Sequence, residues 1–93
     1  MREFADTLLE PFDVDRLTVP LLRLTDDFDI PSVDIKVSGQ EYRYDRSYPI
    51  KGYGAIMPKY LLEQVAAGKK PLLVERPERF YLYWAVEEAV GAA

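Results

Sequence analysis

The stretch "VDIKVSGQEYRYDR", residues 33–46, constrains the fold of this chain more than any other. Apolar and aromatic residues alternate with charged ones on both sides of Ser38-Gly39, the period of two that belongs to strands. Ser38-Gly39-Gln40-Glu41 places glycine first of two central residues, as a type II′ hairpin turn requires. That register pairs Val37 with Tyr42, Lys36 with Arg43, Ile35 with Tyr44 and Asp34 with Asp45. Val33, Ile35, Val37, Tyr42 and Tyr44 then share one face, and Asp34, Lys36, Arg43 and Asp45 share the other.

Two further units follow from local chemistry. "PKYLLEQVAAG", residues 58–68, reads as a helix: Pro58 suits the first helical position, Leu61/Val65 and Leu62/Ala66 form apolar i,i+4 pairs, and Gly68 suits the C′ position. "PLLVERPERFYLYWAV", residues 71–86, gives two strand-like runs around the charged turn Arg76-Pro77-Glu78-Arg79. Both faces of "LLV" and "FYLYW" are apolar or aromatic, the pattern of central strands covered on each side. A competing helix from Pro77 to Gly91 is opposed by the density of aromatic residues, which favours a strand at least to Trp84. Upstream, residues 2–10 fit a short helix ended by Pro11, with Phe4, Leu8 and Leu9 on one face. "RLTVPLLRLT" places Leu17, Val19 and Leu21 at period two, and Pro20 demotes it to an edge strand or extended arm.

The expected fold is therefore α+β: a small single domain, with an antiparallel or mixed sheet of about four to five strands, one main helix packed on it and a short N-terminal helix. Residues 1–93 divide into an acidic arm (1–32, with the short helix and edge strand), a hairpin-helix-hairpin core (33–86) and a tail (87–93). Ninety-three residues suit one domain with a thin core. No apolar run spans a bilayer and no secretory signal is read at the N-terminus, so a cytoplasmic protein without membrane insertion is expected.

Absences narrow the chemistry. The chain has no cysteine and no histidine, which removes disulfides, thiolate and imidazole catalysis, and the usual zinc and haem ligands. Catalysis would have to rest on carboxylate, lysine, tyrosine, serine or threonine, and no motif nominates such a set; a non-enzyme without a cofactor is expected. Asp26, Asp27, Asp29 and Asp34 hold oxygen ligands for a hard cation, but an EF-hand loop from Asp27 fails because Pro31 is fifth and Ser32 sixth, where glycine is required.

Charge is divided along the chain. Residues 1–34 carry nine acids against three bases, and residues 36–79 nine bases against five acids. This division suits a complementary partner or a second copy, and equally suits two segments that pack together. Within it, "RSYPIKGYGAIMPKYLL", residues 46–62, contains Arg46, Lys51 and Lys59 and no acid. Helix N-termini favour anions, so backbone N–H groups near Gly52 and Gly54 with Lys51 and Lys59 form a candidate anion cradle. The segment lacks the third glycine of a dinucleotide loop and the Lys-Ser/Thr of a P-loop. Tyr42, Tyr44, Tyr48, Tyr53 and Tyr60 interleave with Arg43, Arg46, Lys51 and Lys59, a mixture found at protein interfaces and, less well matched by an acidic chain, in nucleic-acid sites. Lys69 and Lys70 follow the helix, where they complement its dipole.

The leading expectation is a protein-interaction module or accessory subunit that binds through sheet aromatics, the arm (Pro20, Leu21, Leu22, Leu24) and the 46–60 loop. Its candidate binding residues are Arg46, Tyr48, Lys51, Gly52, Tyr53, Gly54 and Lys59. The alternative is a module for an anionic ligand (nucleotide, phosphometabolite or RNA) centred on Lys51 to Lys59.

Overall fold

Among the described residues, seven strands form one mixed sheet in the order β1-β4-β5-β7-β6-β3-β2, with one helix against it. The structure, a computed structural model, describes residues 2–4, 8–23, 34–52, 54 and 56–86. The elements are β1 (Arg2–Phe4), β2 (Glu10–Val14), β3 (Leu17–Arg23), β4 (Ile35–Val37), β5 (Gln40–Pro49), α1 (Met57–Ala66), β6 (Pro71–Glu75) and β7 (Arg79–Ala85). The α+β class and the mixed sheet agree with the sequence reading; the strand count and the N-terminal helix do not.

In place of the N-terminal helix, Arg2, Glu3 and Phe4 pair parallel with Ile35, Lys36 and Val37, so the chain start is a strand in the sheet. The helical spacing of Phe4, Leu8 and Leu9 misled because Phe4 packs on the sheet while Leu8 and Leu9 stay exposed. "LTVPLLR" is not an edge either: β3 lies between β2 and β6, parallel to β6 through Leu21–Leu73, Leu22–Val74 and Arg23–Glu75. Pro20 is tolerated there because the ladder to β6 begins one residue later. Leu21 and Leu22 are buried on opposite faces, so they offer no arm to a partner; Leu24 and the acidic segment 25–32 lie outside the described residues.

The edge beyond β3 is β2, and it is guarded. Counting from the Val14–Leu17 pair that closes the β2–β3 turn, the Pro11–Pro20 pair falls where backbone nitrogens face away from the hairpin partner. Pro11 thus presents no donor to an incoming strand, and Asp13 adds a charge on the same edge.

The β4–β5 hairpin forms with a slipped register. Ser38 (φ 48°) and Gly39 (φ 89°) are both left-handed, so they are the two central residues of a type I′ turn. The pairs are Ile35–Tyr42, Lys36–Glu41 and Val37–Gln40. A slip of two residues preserves faces, and Ile35, Val37, Tyr42 and Tyr44 still share one side, packed with Leu22, Leu72, Val74 and Tyr83. Residues 79–85 are a strand as the aromatics indicate, and β7 occupies the centre of the sheet.

The other face is covered by α1. Met57 and Leu61 are fully buried against Val14, Val19, Leu21, Tyr48, Leu73, Phe80 and Leu82. The helix begins at Met57, with Pro58 second, and Leu62 points outward. Its C-terminus is a Schellman motif: Gly68 N–H donates to Val65 O at 2.9 Å and Lys69 N–H to Gln64 O at 3.2 Å. Gly68 takes φ 92° at the C′ position, the conformation glycine tolerates best.

Candidate functional site

One irregularity builds the site. The β5–β7 register runs Tyr42–Ala85, Arg43–Trp84, Tyr44–Tyr83, then resumes at Arg46–Leu82, leaving Asp45 as a β-bulge. A strand alternates sides strictly, so Tyr44 and Tyr48 would share a face without the bulge. Instead Tyr44 packs with Tyr83 on one face, and Tyr48 joins the helix-side core. The extra residue re-aims the rest of β5 and places Asp45 under α1.

Asp45 then ties helix to sheet. Its Oδ2 accepts from the Tyr60 hydroxyl of α1 at 2.6 Å and from Trp84 Nε1 of β7 at 2.9 Å. Arg46 Nε donates to Oδ1 at 3.3 Å, and its guanidinium lies 4.0 Å from the Tyr60 ring centroid. Tyr60 and Trp84 meet edge to face, with centroids 6.2 Å apart. Partial burial alone would raise the Asp45 carboxyl, but the hydrogen bonds from Tyr60 and Trp84 and the Arg46 charge outweigh it and hold it below the ordinary carboxylate value. Tyr60 is pushed up, first by its bond to Asp45 and then by burial. The Tyr48 hydroxyl is also raised, chiefly by burial.

Above this cluster lies an open cleft of about 610 Å³, lined among others by Arg43, Asp45, Tyr60, Gly68, Lys69 and Trp84. The Lys69 ammonium stands 6.0 Å from the Trp84 ring centroid. Arg43 faces Trp84 directly across the β5–β7 ladder. Neither Arg43 nor Lys69 has an ion pair among the described residues. The Asp45 charge is already committed to three donors, so the charges open to a ligand are positive.

The residues nominated by sequence scatter. Arg46 belongs to the bulge cluster, and Tyr48 is buried in the helix-side core. Lys51 and Lys59 are exposed, without an ion pair among the described residues, and Tyr53 lies outside those residues. Gly52 and Gly54 line a cleft of about 590 Å³ with Pro58, but its other walls are Asp13, Val14 and Asp15 of the β2–β3 turn. Two carboxylates therefore stand near the helix N-terminus, where they complement the dipole from within the chain. Tyr42 and Tyr44 pack on the face away from α1, Tyr44 against Tyr83 at 5.5 Å and Tyr81 at 6.3 Å between centroids. Of the aspartates considered for a cation, Asp34 is described, and it accepts the Tyr44 N–H at 3.0 Å.

Sequence reasoning missed Asp45, Trp84 and Lys69 as neighbours. In the sequence Lys69 reads as a complement to the helix dipole, and the bulge that brings Asp45 beneath Trp84 leaves no mark in a register drawn by strict alternation. Among the described residues no group of three or more His, Cys, Asp or Glu is gathered as metal ligands. No helix among them is long and apolar enough to cross a membrane. Comparison of the chain with protein-family models, curated proteins and solved structures finds no match.

Proposed function

We propose that this chain is a non-catalytic protein-interaction module, with the Trp84 cleft as its recognition site. One observation carries the reading: Arg43 and Lys69, without ion pairs among the described residues, flank an aromatic surface whose orientation Asp45 fixes. Arginine beside tryptophan and tyrosine is the composition of interface anchors, and a side chain held in place loses little entropy on binding. An acidic or polar segment of a partner would neutralise the cations while its apolar atoms cover the indole.

The alternative, an anionic small ligand or RNA at Lys51 to Lys59, has less support. The cleft beside that loop carries Asp13 and Asp15, whose charges oppose an anion there. An affinity capture from the source cell, run in parallel with wild type, Arg43→Ala/Lys69→Ala and Lys51→Ala/Lys59→Ala, tests both. The reading expects one protein retained by wild type and the Lys51/Lys59 variant and lost by the Arg43/Lys69 variant. Retention by all three chains refutes it, and selective loss with Lys51/Lys59 supports the alternative.

A further inference from the structure

The cleft over Trp84 does not stop at the end of β7. Ala85 and Val86 also line a second cleft, about 340 Å³, whose other walls include Lys36, Gly39, Gln40, Glu41 and Lys70. The two clefts share those two residues and adjoin at the end of β7, a groove in two parts. Its floor is fixed backbone: Ala85 N–H donates to Lys70 O at 2.9 Å, and Val86 N–H to Glu41 O at 2.8 Å. Gln40 Nε2 clamps the same end, donating to Val86 O at 3.0 Å and to Glu41 O at 2.9 Å.

Cations stand on both walls. Lys69 and Lys70 come from the segment after α1, and Lys36 and Arg43 from the β4–β5 hairpin. Lys36 has one loose ion pair, to Glu3 at 3.9 Å, and the other three have none among the described residues. Two features hold this arrangement. The Schellman motif sets the backbone of Lys69 immediately before the groove, and the type I′ turn places Lys36 across from Glu41 and two residues from Arg43 in the neighbouring strand. The acids on the groove are Asp45, already committed, and Glu41, opposite Lys36.

We infer that this groove binds an extended acidic segment of a protein partner, with one carboxylate between Arg43 and Lys69 over Trp84 and another between Lys36 and Lys70. The inference deepens the proposed interaction site and rests on it. A groove with fixed floor and cations on two walls suits a chain with carboxylates at intervals. A single compact anion would meet only one pair of these cations.

The test uses the full chain and three synthetic eight-residue peptides: one alternating glutamate with leucine, its glutamine isostere, and its lysine counterpart. Trp84 is the sole tryptophan, so its fluorescence reports occupancy at one end, and anisotropy of labelled peptide reports binding overall. The expected result is binding of the glutamate peptide alone, weakened about tenfold by Arg43→Ala/Lys69→Ala and by Lys36→Ala/Lys70→Ala, and weakened by salt. Lys51→Ala/Lys59→Ala should leave it unchanged. Arg43 and the substituted lysines are exposed apart from the half-buried Lys36, and unchanged circular dichroism and melting temperature establish that the variants fold.

Equal binding of the glutamine peptide overturns the inference, as does indifference to Lys36→Ala/Lys70→Ala. Stronger binding of a short oligonucleotide than of the glutamate peptide overturns it as well. So does binding seen only after removal of residues 87–93, since Glu87 and Glu88 follow Val86 directly and the chain's own end would then be the occupant. A captured partner that depends on Arg43 and Lys69 while every acidic peptide fails overturns this inference and leaves the interaction reading standing.

Discussion

Replacing Asp45 by alanine removes one carboxylate and strands two donors on different elements. The Tyr60 hydroxyl and Trp84 Nε1 lose their common acceptor, at 2.6 and 2.9 Å, and Arg46 loses its counter-charge. A hydrogen bond to a charged group contributes about 1.5–3 kcal/mol net. Asp45 is 21% exposed and Tyr60 lies partly in water, so the two bonds together are discounted to about 2–3 kcal/mol. For a domain of this size that corresponds to a melting temperature lower by about 10 °C or more. Asp45→Asn keeps the shape and one acceptor but places an amide donor or a neutral oxygen against Arg46, and should cost about half as much. Urea unfolding followed by Trp84 fluorescence measures both, and the folded emission should shift because the indole N–H has lost a carboxylate. The acid side supplies a second readout. The Asp45 carboxyl is depressed in the folded state, so its stabilisation is complete above the unfolded value of about 3.9 and is lost as pH falls through the folded value. The difference between wild type and Asp45→Ala should therefore shrink below about pH 4. A variant within about 0.5 kcal/mol of wild type at pH 7, with unchanged emission, would show that the bulge cluster does not hold helix to sheet.

Leu61→Ala should cost about 2–5 kcal/mol, because the side chain is fully buried under the helix, whereas Leu62→Ala, at 41% exposure, should cost under about 1 kcal/mol; equal losses in urea unfolding would refute the assigned helix face. Pro11→Thr restores an outward N–H to the β2 edge, so light scattering at high concentration should rise while the melting temperature barely changes. At alkaline pH the sign reverses: Tyr60 and Tyr83 are both raised in the folded state, Tyr83 by burial, so their contribution is full below about pH 10 and lost as pH climbs towards the folded values. A denaturation midpoint that stays flat from pH 9 to above pH 11 contradicts that burial.

The parts of the fold legible in sequence were those set by local chemistry. The presence of a hairpin turn at Gly39, though not its type or register, the C′ role of Gly68 and the aromatic density of residues 80–84 each follow from nearby residues. What sequence could not supply was pairing at a distance. Leu17 to Arg23 reads as an edge because Pro20 is there, yet a ladder that starts at Leu21 makes it an inner strand. Arg2 to Phe4 has no strand pattern of its own, and becomes one only because β4 offers it a partner. The bulge is the plainest case. Tyr42, Tyr44 and Tyr48 are separated by even numbers of residues yet end on two faces, since the extra residue at Asp45 resets the alternation.

Part of the charge division of the sequence is laid out along α1. Asp13 and Asp15 line the cleft at the N-terminal end of α1, and Lys69 lines the cleft at its C-terminal end with Arg43. Each set sits where the helix dipole favours it, so the polarity of the chain follows the polarity of α1. A dipole contribution alone is about 0.3–1 kcal/mol per charge and would be met by any cation near the last turn. It does not account for a second cation, Arg43, on β5, which pairs with Trp84 across the ladder and lines the same cleft as Lys69. Stability places Lys69 near the helix end; the bulge, through Asp45 and Trp84, turns that end into a surface where a partner's carboxylate has somewhere to go.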